Sequence, residues 1–168
     1  LGIVKRLLCL DAYYCYRKYL LINYYKAMNT TVIDNVRNYF GKEYPEDISL
    51  DQAYLHIGHF FGWIILNDHY SEEYEDDFGT QILHFSRKDI TPIILAETLD
   101  GVLDIDLFNE EIQPFILDYY CSGDYLNDYK DALMKEHESM FHIHDNWDNF
   151  KIVSDLLSQR LNAWKNKK

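Results

Sequence analysis

At 168 residues the chain is long enough to bury a core without disulfides or a structural metal. Its 16 basic and 28 acidic side chains leave a net charge of −12, a field that repels nucleic acid and anionic membrane and attracts basic partners. Apolar residues at 48% and charged residues at 26% are ordinary for a globular protein, but 15 tyrosines are not; their amphipathic rings suit both half-buried packing and recognition surfaces.

Residues 1–27, LGIVKRLLCLDAYYCYRKYLLINYYKA, differ from the rest. Five bases (Lys5, Arg6, Arg17, Lys18 and Lys26) meet one acid, Asp11, so residues 28–168 hold 11 bases against 27 acids, a net of −16. A signal peptide needs an unbroken apolar stretch, which Asp11 and the Arg17–Lys18 pair interrupt. No run reaches the roughly 18–20 apolar residues of a membrane span. Leu8, Tyr13 or Tyr16, Leu20 and Tyr24 recur at the spacing of an amphipathic helix. The segment reads as an N-terminal extension, with the domain proper at 28–168. Cys9, Cys15 and Cys121 are odd in number and lack metal-type spacing, which predicts reduced thiols and a cytoplasmic protein.

From residue 45 the punctuation is helical. Ser49, with Gln52 three residues on and Asp51 between, forms a capping-box pattern for a helix over about Leu50–Asp68. Ser71 caps a second, whose acids in EEYEDD fall where the helix dipole favours them; Phe78, Ile82 and Phe85 follow, and Arg87 and Lys88 close it. Thr91, Pro92 and Gly101 mark the cap, first position and stop of a third. Asn109 caps a fourth through NEEIQPFILDYYC, with Pro114 near its first turn as a source of bending. A fifth places Tyr125, Tyr129 and Leu133 at intervals of four. The sixth starts at an Asp145 or Asn146 cap, runs a stripe of Trp147, Phe150, Val153 or Ser154, Leu157, Leu161 and Trp164, and ends in Lys165, Lys167 and Lys168. The expected fold is a single compact all-α domain of about six helices. GVLDID, residues 101–106, has some strand character but is not counted as an element.

The stretch AYLHIGHFFGWIIL sets His56 and His59 three apart, so that both imidazoles reach toward one ion if the segment is a helix. With His142, His144, Asp145 and Asp148 of FHIHDNWD they define one alternative, a metal-dependent hydrolase. Against it, helical two-histidine metal signatures use a spacing of four with a glutamate between, and this segment has neither. From Ile57 to Leu66 the pattern is apolar nearly all round, as in a central core helix, where a histidine hydrogen-bonds a carbonyl or carboxylate. Gly58 and Gly62 each cost about 1 kcal/mol in a helix interior, which predicts that another helix, or a partner, crosses closely there.

The runs EEYEDDF and DYLNDYKD admit a catalytic-carboxylate reading, but charge runs on helices are more often solvated faces. Asp76, Asp77, Asp124 and Asp128, interleaved with Tyr74, Tyr119, Tyr120, Tyr125 and Tyr129, make a candidate surface for a basic protein. The 124–131 face is preferred, because it pairs acids for steering with tyrosines as anchors. No Gly-rich phosphate loop, CxxC pair, nucleophile elbow or Ser/His/Asp arrangement is visible, so no catalytic residue and no cofactor is assigned.

At YLHIGHFFGWIILNDHYSEE the sequence resembles an uncharacterised bacterial domain family that typically reads THIGMFLAWAI followed by a Leu-Ser-Glu-Glu turn. The resemblance continues through TPIILAETLDGVLDIDLFNEE, YLNDYKDAL and DNWDNFKIVSDLLSQRLNAWK, roughly residues 39 to 165. Residues 1–27 have no counterpart in it. His56, Gly58 and Trp63 match, whereas His59 stands where the family has an apolar residue such as Met, which counts against a metal pair. Such small acidic proteins look like the immunity partners of secreted bacterial toxins. The resemblance thus implies a non-enzymatic protein that binds and neutralises a cognate, basic toxin; a regulatory or scaffold domain is the remaining alternative.

Overall fold

Helix α1, Leu55–Leu66, is the axis of the molecule, and its sequence explains why. Every residue from Leu55 to Ile65 is buried, so the helix has no solvent face to keep polar. The structure, a computed structural model, describes residues 31–41, 43–135 and 137–167. The N-terminal extension, its amphipathic pattern, Cys9 and Cys15 lie outside the described residues.

Around α1 stand α2 (Glu72–Ser86), α3 (Pro92–Glu97), α4 (Gln113–Tyr119), α5 (Asp124–Leu133) and α6 (Trp147–Lys165). These six α-helices, among the described residues, make the domain predominantly α-helical, as expected. Side-chain caps form where the sequence places them: Ser71, Thr91 and Asn146 accept from the backbone N–H groups of Tyr74, Ile94 and Asn149. The Ser49 cap departs from expectation. Its side chain makes no capping bond, and Leu50–Tyr54 winds as a 3-10 turn that leads into α1. Asn109 caps a preparatory turn by accepting from Ile112 N–H, while Pro114 sits in the first turn of α4, where it is tolerated without a bend.

One short strand pair accompanies the helices, and its second strand lies within GVLDID, the stretch with strand character not counted among the expected elements. β1 (Val32–Asn35) runs antiparallel to β2 (Val102–Asp104), with Val32 opposite Asp104 and Asn35 opposite Val102. The register slips between Val32 and Asp34, an irregularity of the kind that re-aims a side chain. Here the re-aimed residue is Asp34, an acid turned into the interior.

Both glycines of α1 sit at crossings. A Cβ on Gly58 would lie 1.9 Å from the Pro92 carbonyl oxygen, so the backbone of α3 rests directly on α1. A Cβ on Gly62 would lie 2.4 Å from the Phe85 ring of α2 and 2.8 Å from the Phe150 ring of α6. Trp63 is fully buried, and its indole N–H donates to the Ser158 hydroxyl of α6 at 3.0 Å. Among the described residues no helix is long and apolar enough to cross a membrane.

Candidate functional site

The chemistry gathers at the first half of α1, on the side toward β1. Asp34 is only 7% exposed, yet its carboxylate has several partners. Oδ1 accepts from the Asn35 N–H at 2.7 Å, and Oδ2 accepts from the Tyr39 hydroxyl at 3.1 Å and from the Tyr120 hydroxyl. The Nε2 atom of His56 approaches Oδ2 at 3.4 Å, within ion-pair range but without hydrogen-bond alignment. Burial pushes the Asp34 carboxyl up, but the opposing pull of His56, the Tyr120 hydroxyl and the Asn35 amide prevails and holds it below the usual carboxylate range. Asp34 is therefore a buried anion, and it drives the Tyr39 and Tyr120 phenols, already raised by burial, further from ionisation.

Four separate elements supply this cluster. Asp34 comes from β1, Tyr39 from the 3-10 turn Val36–Tyr39, His56 from α1 and Tyr120 from the end of α4. Tyr125 of α5 completes it by donating to the His56 carbonyl at 2.6 Å and stacking on Tyr120 at 4.9 Å between ring centroids. Asp34, Tyr39, His56, Tyr120, Cys121 and Tyr125 line a cavity of about 180 Å³. His56 and Cys121 share that lining, but neither imidazole nitrogen has a hydrogen-bond partner, so no thiol–imidazole pair is formed to activate a nucleophile.

The other predicted positions disperse. His59 is fully buried between Tyr129 and Phe150, and no protein group bonds its ring nitrogens. That departs from the carbonyl or carboxylate partner expected for a core histidine. Burial first, and the neighbouring His56 second, hold its pKa down to about 3, so it is neutral. His142 lies in the 3-10 turn Met140–His142 and pairs with the Ser139 hydroxyl at 2.8 Å, while His144 is exposed against His137. Among the described residues no three His, Cys, Asp or Glu side chains are grouped to hold a metal ion. The set His56, His59, His142 and His144 is not assembled, because the first two point into the core of α1 and the last two into a separate turn.

The tyrosines proposed as surface anchors are core residues. Tyr74, Tyr119, Tyr120, Tyr125 and Tyr129 are all buried, since a spacing of four on α5 turns Tyr125 and Tyr129 inward against α1. Asp128 is also engaged, accepting from the Tyr119 hydroxyl at 2.6 Å and taking a two-point bond from Arg160 at 2.7 Å. Of the 124–131 acids only Asp124 and Asp131 are exposed. By contrast Asp76 and Asp77 stand in solvent on α2 beside Glu72, Glu73 and Glu75. Of the two acidic runs, the one on α2 is therefore the more exposed.

Sequence reasoning missed Asp34 and Tyr39. The signal was present in TVIDNV, residues 31–36, where one acid interrupts an apolar, β-branched run. An acid at such a position is either an edge residue in water or a buried charge with dedicated donors.

Fold and site together define a small helical domain whose polar centre is an aspartate caged by phenols, with an acidic exterior. The chain belongs to the family described as Domain of unknown function (DUF7832), whose model matches residues 32–143. That span holds the whole Asp34 cluster and helices α1 to α5. No curated protein and no solved structure matches the chain.

Proposed function

We propose that this protein is a non-enzymatic immunity protein of the cytoplasm that captures a basic bacterial toxin through the outer face of α2. The observation that supports the reading is the fate of the acids. Glu72, Glu73, Glu75, Asp76 and Asp77 are all exposed, and none has a lysine or arginine ion-pair partner among the described residues. A run of unneutralised charge at one helix end repels itself and gains by meeting a basic surface.

Charge of this kind acts by long-range steering. Reversing Asp76 and Asp77 to lysine is expected to slow association with a basic toxin domain that the protein inhibits by about tenfold at low salt, with dissociation far less affected. Salt should shrink the effect, because the Debye length falls to about 8 Å at physiological ionic strength. Stopped-flow fluorescence at two salt concentrations measures both rates. An association rate indifferent to salt and to the reversals removes electrostatic capture from the account. The scaffold alternative predicts no inhibition of the toxin by the unmodified protein.

A further inference from the structure

We propose that the surface formed by Phe40, Tyr44, Leu50 and Phe141 is a docking site for a basic segment of a partner protein that carries apolar side chains. Its centre is apolar and aromatic. Leu50 is 62% exposed, more than any other large apolar side chain among the described residues, and Phe40 is 40% exposed. Tyr44 joins them. Its ring centroid lies 5.8 Å from that of Phe40 and 4.6 Å from that of Phe141, and its hydroxyl donates to the Ser49 carbonyl, next to Leu50, at 2.6 Å. Single exposed apolar side chains are ordinary, but a connected group of them inside a polar rim has the anatomy of a protein-binding surface.

The rim chooses the partner. In FGKEYPEDISLDQ, residues 40–52, four acids stand against one base, and ESMFHIHDNWD, residues 138–148, holds three acids and neither lysine nor arginine. Glu43, Glu46 and Asp47 are exposed, and none of them forms an ion pair among the described residues. The same negative field reaches the half-buried groups behind them. Burial first, with the Asp51 charge adding to it, raises the Tyr44 phenol. Burial also raises the Asp145 carboxyl, opposed by Thr91 and the Ile93 amide and aided by Asp51. An apolar centre ringed by unpaired acids rejects an acidic segment and favours lysine or arginine set beside leucine-like side chains.

The surface is also held in place before a partner arrives. The Tyr44 N–H donates to the Gly41 carbonyl at 3.1 Å, and the contact of Tyr44 with Phe141 fastens this segment to the Met140–His142 turn. A preformed loop loses less freedom on binding than one that must order itself. The inference does not rest on capture by α2, whose acids belong to another element.

Calorimetry and amide NMR on the full chain test it. The probe is a synthetic peptide of leucine and lysine with its leucines along one helical face. Two controls separate the requirements: an isomer with scattered leucines keeps the charge, and a leucine–glutamate peptide keeps the apolar face. The expected result is saturable binding of the probe about tenfold tighter than either control, with amide shifts centred on residues 43–51 and 139–142. Phe40→Gln combined with Leu50→Gln removes exposed apolar surface, leaves the charge alone and should weaken binding about tenfold or more. Glu46→Gln with Asp47→Asn should weaken it by a factor that salt erases. Both of those acids lie in solvent, so this pair keeps the test decisive if circular dichroism finds the apolar variant unfolded. Reversal of Asp76 and Asp77 should leave peptide binding unchanged, so the two proposals fail separately. No saturable binding, equal binding of either control, or shifts centred on α2 overturns the proposal. A dimer of the free chain that Leu50→Gln dissociates would assign the surface to a second copy, and binding to phosphatidylcholine vesicles lost in the same variant would assign it to lipid; either result also overturns it.

Discussion

Replacing Gly58 by alanine isolates the closest contact in the fold. Two effects oppose one another. Alanine is the better helix former by about 1 kcal/mol in a helix interior, so propensity alone predicts a more stable protein. The new methyl group, however, would sit 1.9 Å from the Pro92 carbonyl oxygen and 2.4 Å from its carbon. Those atoms are backbone and cannot rotate away, so α1 and α3 must separate or tilt. Overpacking a well-filled core costs about 1–3 kcal/mol and occasionally more, and a backbone clash falls at the upper end. With the propensity gain of about 1 kcal/mol set against it, the net expectation is a loss of about 2 kcal/mol, equivalent to a fall of roughly 4–8 °C in Tm for a chain of this size. Gly79→Ala provides the internal control. Nothing lies within 4 Å of its added Cβ, and since α2 kinks at the adjacent Phe78 (φ −125°, ψ 21°) only part of the helix-interior propensity applies, so stability should hold or rise by up to about 0.5 kcal/mol. Urea unfolding of both variants beside the parent chain makes the measurement. A Gly58→Ala protein as stable as the parent would refute the close crossing and with it the placement of α3.

Trp63→Ala should cost about 3–5 kcal/mol in the same assay, the range for deleting a fully buried large aromatic, and a loss below about 1 kcal/mol would place the ring outside the core. His59 adds a pH signature: its pKa of about 3 lies below the ordinary 6.5, so as pH falls beneath 6.5 the unfolded chain binds a proton that the native chain refuses. Stability should therefore drop by up to about 1.4 kcal/mol per pH unit before the carboxylates titrate near pH 4, and His59→Met should flatten that slope; a slope that persists in the variant would assign it elsewhere.

Much of the architecture was legible because helix ends carry local chemistry. Ser71, Thr91 and Asn146 each announce a helix through one side chain and one N–H three residues on, with no help from the rest of the fold. The glycines of α1 were legible for a different reason. A residue that weakens a helix twice in five positions must answer to something outside the helix, and Pro92, Phe85 and Phe150 are that something. The strand pair was not legible. β1 and β2 are four and three residues long, separated by more than sixty positions, and their pairing is decided by where α1 and α3 set their ends. Asp34 escaped for the same cause, since its three side-chain partners, Tyr39, His56 and Tyr120, come from three other elements.

The tyrosines show why composition misleads about surfaces. An intervening acid makes YxxxY on a helix look like a recognition face, but the ring and the charge a residue away project on different sides. On α5 the rings of Tyr125 and Tyr129 turn to α1, and Asp128, instead of facing a partner, is consumed by Tyr119 and Arg160. The buried cluster in turn explains why tyrosine stands at these core positions where phenylalanine would not serve. Three phenolic hydroxyls, from Tyr39, Tyr120 and Tyr125, bind the Asp34 carboxylate and the His56 carbonyl, polar groups that phenylalanine would strand in the core. An aromatic core built on phenols thus carries an ionised aspartate at its centre, held by donors from inside the fold, while the acids of α2 stay in solvent.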